Sequence, residues 1–280
     1  MVKRMKRRGI LFVFLLVAGL LVYYYFGTEK MSEIKFELGK NIVETAKSTG
    51  VPRFNSSKTA GQVSYSINQI PDDIPARYSR PGYEITASSL FAFTMYADEP
   101  DNNNLAVNNV TLQFKAHIKT HEAGQAFVEK LIAQFQKGKW QRYIRESCPA
   151  VSGRSSLLDE AGNLNVGKGC AFDPSYKLTP EEWRAMMGET QRYEWVGDGV
   201  VAKLEVDYSS NITYKIFLEF EDLATMVKSD QENQARDLKE GDAKGWGSTA
   251  KYMQGKKETE ARNKILEANA IKRGDTVVPR

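Results

Sequence analysis

Histidine and cysteine are scarce in this chain, with two of each among 280 residues, and the motifs that usually announce a chemistry are missing. There is no glycine-rich phosphate loop, no dinucleotide fingerprint, no Gly-x-Ser-x-Gly elbow and no Asp-x-Asp. Ser32 and Lys35 echo a serine–lysine pair, but its companion motifs do not appear. The only histidines, His117 and His121, carry a spacing that would align two metal ligands on one helix. Here they straddle a strand end and a helix start, and Lys115 and Lys119 beside them repel a cation. The sequence therefore predicts no catalytic residue, no metal ligand and no cofactor.

Net charge is also nearly absent from most of the chain. The formal +4 comes from 39 Lys and Arg against 35 Asp and Glu. Removing the five basic residues Lys3, Arg4, Lys6, Arg7 and Arg8 leaves 34 against 35, so the remainder is close to neutral. Net charge then offers no phosphate-tracking surface, and no nucleic-acid partner is expected.

What the chain does have is an unbroken apolar run from Ile10 to Phe26 behind that basic flank. Its helical rise of roughly 25 Å lies at the short end of what spans a bilayer core. Tyr23, Tyr24 and Tyr25 supply an interfacial belt, and the basic side is expected to stay in the cytoplasm. The run lacks a small-x-small cleavage site and no cysteine follows it closely, which predicts an uncleaved signal anchor. The expected location is a bacterial inner membrane crossed once, with residues 10–26 in the bilayer and the C-terminal part in the periplasm.

In that oxidising compartment Cys148 and Cys170 are expected to form a disulfide closing a loop rich in Gly, Ser and Asn. The rest divides, on this reading, into a cytoplasmic flank (1–9), the anchor (10–26), a juxtamembrane helix and linker (27–82), an α+β domain (83–227) and a polar, partly helical tail (228–280). Ile34, Leu38, Ile42 and Ala46 recur every four places, which predicts a helix leaving the membrane over Met31 to Thr49. Four prolines mark 51–82 as linker or surface-hugging chain.

Ile85 to Tyr96 and Val110 to Lys119 read as a hairpin, followed by a helix capped by Thr120 and ended by Gly138. Thr179-Pro180-Glu181-Glu182 is a capping box with proline at the first helical position. Val200 to Tyr208 and Ile212 to Phe220 then alternate apolar and polar residues. These patterns predict an α+β fold: antiparallel sheet or sheets with helices packed on one face, behind a single N-terminal transmembrane helix. Whether the two strand pairs share one sheet or form two related halves is left open by the sequence.

Paired carboxylates such as Glu219 and Glu221 fall on the outward face of their strand and read as solvated charge. The acidic tip containing Asp98, Glu99, Asp101 and Asn102 departs from calcium-loop spacing and reads as a turn. Exposed tips on rigid strands are where recognition tends to reside. That tip, together with Arg154 and Asp159 of the cysteine loop, is the expected partner-binding surface.

In layout the chain is similar to anchored immunity proteins that neutralise toxins arriving in the periplasm, and to anchored envelope-assembly factors. The resemblance implies a membrane-anchored binding protein without catalytic activity, whose partner is a toxin, effector or envelope component. An envelope hydrolase or transferase with a site assembled only in the fold, or a structural subunit of an envelope or secretion complex, are the alternatives.

Overall fold

Both strand pairs read from the sequence belong to a single antiparallel sheet, and so do segments on either side of them. In chain order the elements begin with β1 (Ile34–Phe36), α1 (Ile42–Ser48), β2 (Asn55–Thr59), β3 (Gln62–Asn68), β4 (Ala76–Tyr78) and β5 (Ile85–Ala87). There follow β6 (Leu90–Asp98), β7 (Asn109–Phe114), α2 (His121–Lys137), β8 (Gln141–Arg142) and α3 (Pro180–Ala185). The last are β9 (Gln191–Gly197), β10 (Val200–Ser209), β11 (Thr213–Asp222), α4 (Leu223–Ala243) and α5 (Ser248–Lys272).

The computed structural model describes residues 33–51, 53–59, 61–99, 105–115, 118–165, 169–209 and 213–280. The expected anchor 10–26, Asp101 and Asn102 of the acidic tip, and His117 lie outside these residues. Among the described residues no helix is long and apolar enough to cross a membrane.

The large sheet has eight strands in the order β2-β3-β6-β7-β11-β10-β9-β8, and each neighbouring pair is antiparallel. The first four run from one edge inward and the last four run back out, so β7 and β11 meet at the centre. Asp198 and Gly199, with φ of 50° and 74°, form the two-residue turn between β9 and β10. Two residues in the left-handed region match the twist of a tight hairpin. A smaller sheet, β1-β4-β5, pairs β1 parallel to β4 and β4 antiparallel to β5.

Alternation along the strands sends Phe93, Leu112, Leu218 and Leu204 to the core face, where all are buried. Phe36 and Tyr78 of the small sheet meet Phe93 and Phe220 there, and Tyr78 stacks on Phe220 with ring centroids 4.8 Å apart. Helix α2 covers the neighbouring strands with Val128, Leu131, Ile132 and Phe135. Phe135 lies flat on Trp195, centroids 4.0 Å apart at 7°. Such a pair contributes about 0.5–1.5 kcal/mol beyond the area it buries.

Several local expectations hold. Thr120 accepts from Ala123 N at the start of α2, Gly138 follows its last residue, and Thr179 and Glu182 complete the capping box of α3. The β6–β7 and β10–β11 pairings are as the alternation implies.

Four segments differ. Residues 34–36 form a strand instead of the start of a helix, because Ile34 and Phe36 face the core at a spacing of two. Gly39, at φ +85°, then turns the chain, and Asn41 caps the shorter α1. Within the expected linker, β2, β3 and β4 take sheet positions, so the sheet begins well before Tyr83. The expected strand Ile85 to Tyr96 is broken at Ser89 (φ 60°) into β5 and β6, which join different sheets. A register shift between Leu90 and Ala92 turns Phe91 to solvent, whereas Phe93 and Met95 stay buried. The polar tail is two long helices, and its expected helix from Glu258 to Ile271 is the second half of α5.

Candidate functional site

The face of the sheet opposite the core carries mainly polar side chains, interrupted by Ala92, Phe217, Val201 and Val196. One register row carries Ser66, Thr94, Thr111, Glu219, Lys203 and Glu194 across six adjacent strands. Each projects away from its buried neighbours by the two-residue period. The carboxylates read as solvated charge are therefore partners in a network.

The Lys203 ammonium lies 3.5 Å from Glu219 Oε2 and hydrogen-bonds to Glu221 Oε2. Burial alone would lower the pKa of Lys203, but the two carboxylates outweigh it and hold the pKa above the ordinary lysine value. Asn109 Nδ2 donates to the other oxygen of Glu219 at 2.5 Å. Further along the row, the fully buried Glu194 takes a two-pronged pair from Arg145, with Nε to Oε2 at 3.1 Å and the second nitrogen to Oε1 at 2.8 Å. Arg192 links Glu205, at 2.7 Å, to the same Glu194, at 3.9 Å.

A cleft of about 430 Å³ opens on this face over β6, β7 and β11. Its floor is Tyr96, Asn109, Thr111, Glu219 and Glu221, and the first turns of α4 add Thr225 and Ser229 at its side. Asp98 also lines it and accepts from Asn108 Nδ2 at 2.7 Å. Glu99, the next residue, turns to Lys58 at 2.5 Å.

Arg154 and Asp159 lie elsewhere, in the loop closed by the Cys148–Cys170 disulfide. Arg154 Nε donates to Glu182 Oε1 at 2.6 Å, and the hydroxyl of Tyr176 donates to the same carboxylate. Burial would raise the Glu182 pKa, but Arg154, the Thr179 backbone N–H and Tyr176 together hold it below the ordinary carboxylate value. Asp159 accepts from Asn163 N at 2.8 Å and serves its own turn, which lowers its pKa. The described members of the expected partner surface thus divide between the end of β6, with Asp98 and Glu99, and the cysteine loop, with Arg154 and Asp159, each with local partners.

The cysteine loop is strapped by residues 275–280. Val278 N donates to Ala150 O, and Ser152 N to Thr276 O, both at 2.8 Å, while Arg280 donates to Cys148 O at 3.1 Å. Asp275 accepts from Ser155 N at 2.8 Å. Gly153 sits under that carboxylate at φ +63°, where a methyl group would come within 2.2 Å of Asp275 Oδ1.

Helices α4 and α5, which lead from the sheet to this strap, bury few residues: Met226 and Gly241 in α4, and Asn263, Leu266 and Ala270 in α5. Of the large apolar side chains exposed among the described residues, all but Phe91 lie beyond residue 226. Trp246 is the most accessible tryptophan, 59 % exposed, with Lys244 Nζ 4.8 Å from its ring centre. Tyr252, Met253, Ile265 and Ile271 follow in α5.

His121 is bound into the core edge. Trp183 Nε1 donates to the Tyr214 hydroxyl at 3.0 Å, and that hydroxyl shares a second hydrogen bond with His121 Nδ1, 2.8 Å away. Among the described residues no three His, Cys, Asp or Glu side chains converge on a common point. The charged row was missed from the sequence because each member looks like ordinary outward charge; only the strand register brings Glu194, Lys203 and Glu219 side by side. No family model matches the chain, and no curated protein or solved structure is significantly similar to it.

Proposed function

We propose that this chain is a membrane-tethered periplasmic binding protein without catalytic activity, which neutralises a secreted toxin or effector by direct contact. The reading rests on the tether expected at residues 10–26 and on one structural observation. Exposed large apolar side chains are concentrated on α4, α5 and the turn between them, with Val277 in the strap beyond, while the described residues before α4 have Phe91 alone. Large apolar side chains left on the surface among charged ones supply the contact area of protein interfaces. Trp246 is suited to act as an anchor, since a tryptophan carries a large contact area and is enriched among the residues that dominate interfaces.

The test is binding between the full chain, held in detergent, and a secreted effector encoded beside it. A stable complex that Trp246→Ala weakens by about 30-fold, equivalent to about 2 kcal/mol, supports the reading. If the two proteins do not associate, or if Trp246→Ala leaves the affinity unchanged, the proposed surface is wrong.

A further inference from the structure

The cleft on the polar face lies apart from the exposed turn at Trp246, and its chemistry selects among ligands. We propose that it binds an uncharged, hydroxyl-rich ligand, a saccharide unit of a glycan chain.

Three ligand classes are disfavoured by the lining itself. An anion would face Asp98, Glu219 and Glu221. An apolar molecule would strip water from those carboxylates without returning a hydrogen bond, at a cost of several kcal/mol. A cation would compete with Lys203, whose ammonium already lies between Glu219 and Glu221, while the second oxygen of Glu219 is taken by Asn109. Lys203 thus fills the cation position between Glu219 and Glu221, and Asp98 accepts from Asn108 Nδ2 at 2.7 Å.

Neutral hydrogen bonding remains. A sugar hydroxyl both donates and accepts, and the cleft offers both roles: carboxylate lone pairs that accept, the second N–H of the Asn109 amide, and the hydroxyls of Thr111, which also reaches Asn109 Oδ1 at 3.4 Å, of Thr225, and of Ser229, which also accepts from Asn233 Nδ2 at 3.3 Å. Tyr96 adds an aromatic ring on the same floor, a platform for the C–H face of a pyranose. The strand backbones beneath are spent on the ladder, so recognition falls to side chains fixed by the β6–β7–β11 register. A volume of about 430 Å³ lies inside the roughly 300–1,000 Å³ typical of small-ligand sites.

The test uses the full chain in a detergent without a sugar headgroup. It is titrated calorimetrically with N-acetylglucosamine tetrasaccharide, with maltotetraose and, as the rival, with an arginine-rich peptide. Saturable binding of either oligosaccharide, weakened at least tenfold by Tyr96→Ala with an unchanged melting temperature, is the expected result. Thr111→Ser, which keeps the hydroxyl, should retain binding, and Thr111→Val, which removes it, should lose it. Binding of the peptide alone, of no probe, or of an oligosaccharide equally by all variants overturns the proposal. Because the readout involves no effector protein, the result is independent of the toxin-binding reading.

Discussion

Gly124 of α2 rests directly on the phenol ring of Tyr214 in β11: a methyl group at position 124 would stand 2.5 Å from the ring carbon Cζ. The ring cannot step aside, because its hydroxyl is held between Trp183 and His121. Gly124→Ala should therefore destabilise the fold by about 1–2 kcal/mol, since overpacking outweighs alanine's helix preference of about 1 kcal/mol. Chemical denaturation gives the value, and an unchanged midpoint would show that α2 does not sit this close.

Arg145 faces a buried carboxylate that lacks an equal substitute. Arg145→Ala leaves Glu194 with Arg192 at 3.9 Å as its remaining cation. The expected loss is about 2–3 kcal/mol, below the roughly 3–5 kcal/mol for breaking a fully buried pair, because the Arg145 side chain is 38 % exposed. The double variant Arg145→Ala with Glu194→Gln should recover part of that loss. If the double variant is no better than the single one, the cost lies in lost packing and not in the stranded charge.

Cys148→Ser with Cys170→Ser should cost about 2–4 kcal/mol. The structure adds a location to that number. The amide of Val278, bonded to Ala150 O, should exchange its hydrogen much faster in the variant, while amides of β10 and β11 should speed up by no more than the fall in global stability accounts for. Hydrogen exchange resolved by residue separates this outcome from uniform loosening.

Glu182 predicts a pH dependence. Its pKa in the folded protein is depressed, so the stability it adds is fully present above the unfolded value of roughly 4.3 and is lost as pH falls through the lower folded value. Glu182→Gln retains a side chain able to accept at the Thr179 cap but has no charge for Arg154. The gap in stability between wild type and variant should be widest at neutral pH and close below about pH 4. Urea unfolding at several pH values measures it, and a gap that stays constant would mean that the Arg154 contact contributes nothing.

How much of this was legible beforehand follows from where each signal resides. Caps and stops are local, so Thr120, Gly138 and the Thr179–Glu182 box could be read directly, as could the alternation of β10 and β11. β9 escapes that pattern because Tyr193, Glu194 and Trp195 are buried in succession, the middle one by Arg145 and not by apolar packing. In β3, Val63, Tyr65 and Ile67 do alternate, but they lie among prolines and serines that suggest a linker. α4 and the first half of α5 are polar on nearly every side, which is why the tail reads as only partly helical. The cleft is the least local feature: Asn109, Glu219 and Lys203 are neighbours only through the pairing of β7, β11 and β10.

The strap across the cysteine loop also orders events during synthesis. Ser152 and Thr276, joined side chain to side chain, are 124 residues apart. The ribosome therefore releases both cysteines long before the segment that will hold their loop in place. During synthesis the cysteine loop is therefore complete before the clasp that will hold it exists, so its disulfide can close without help from the strap.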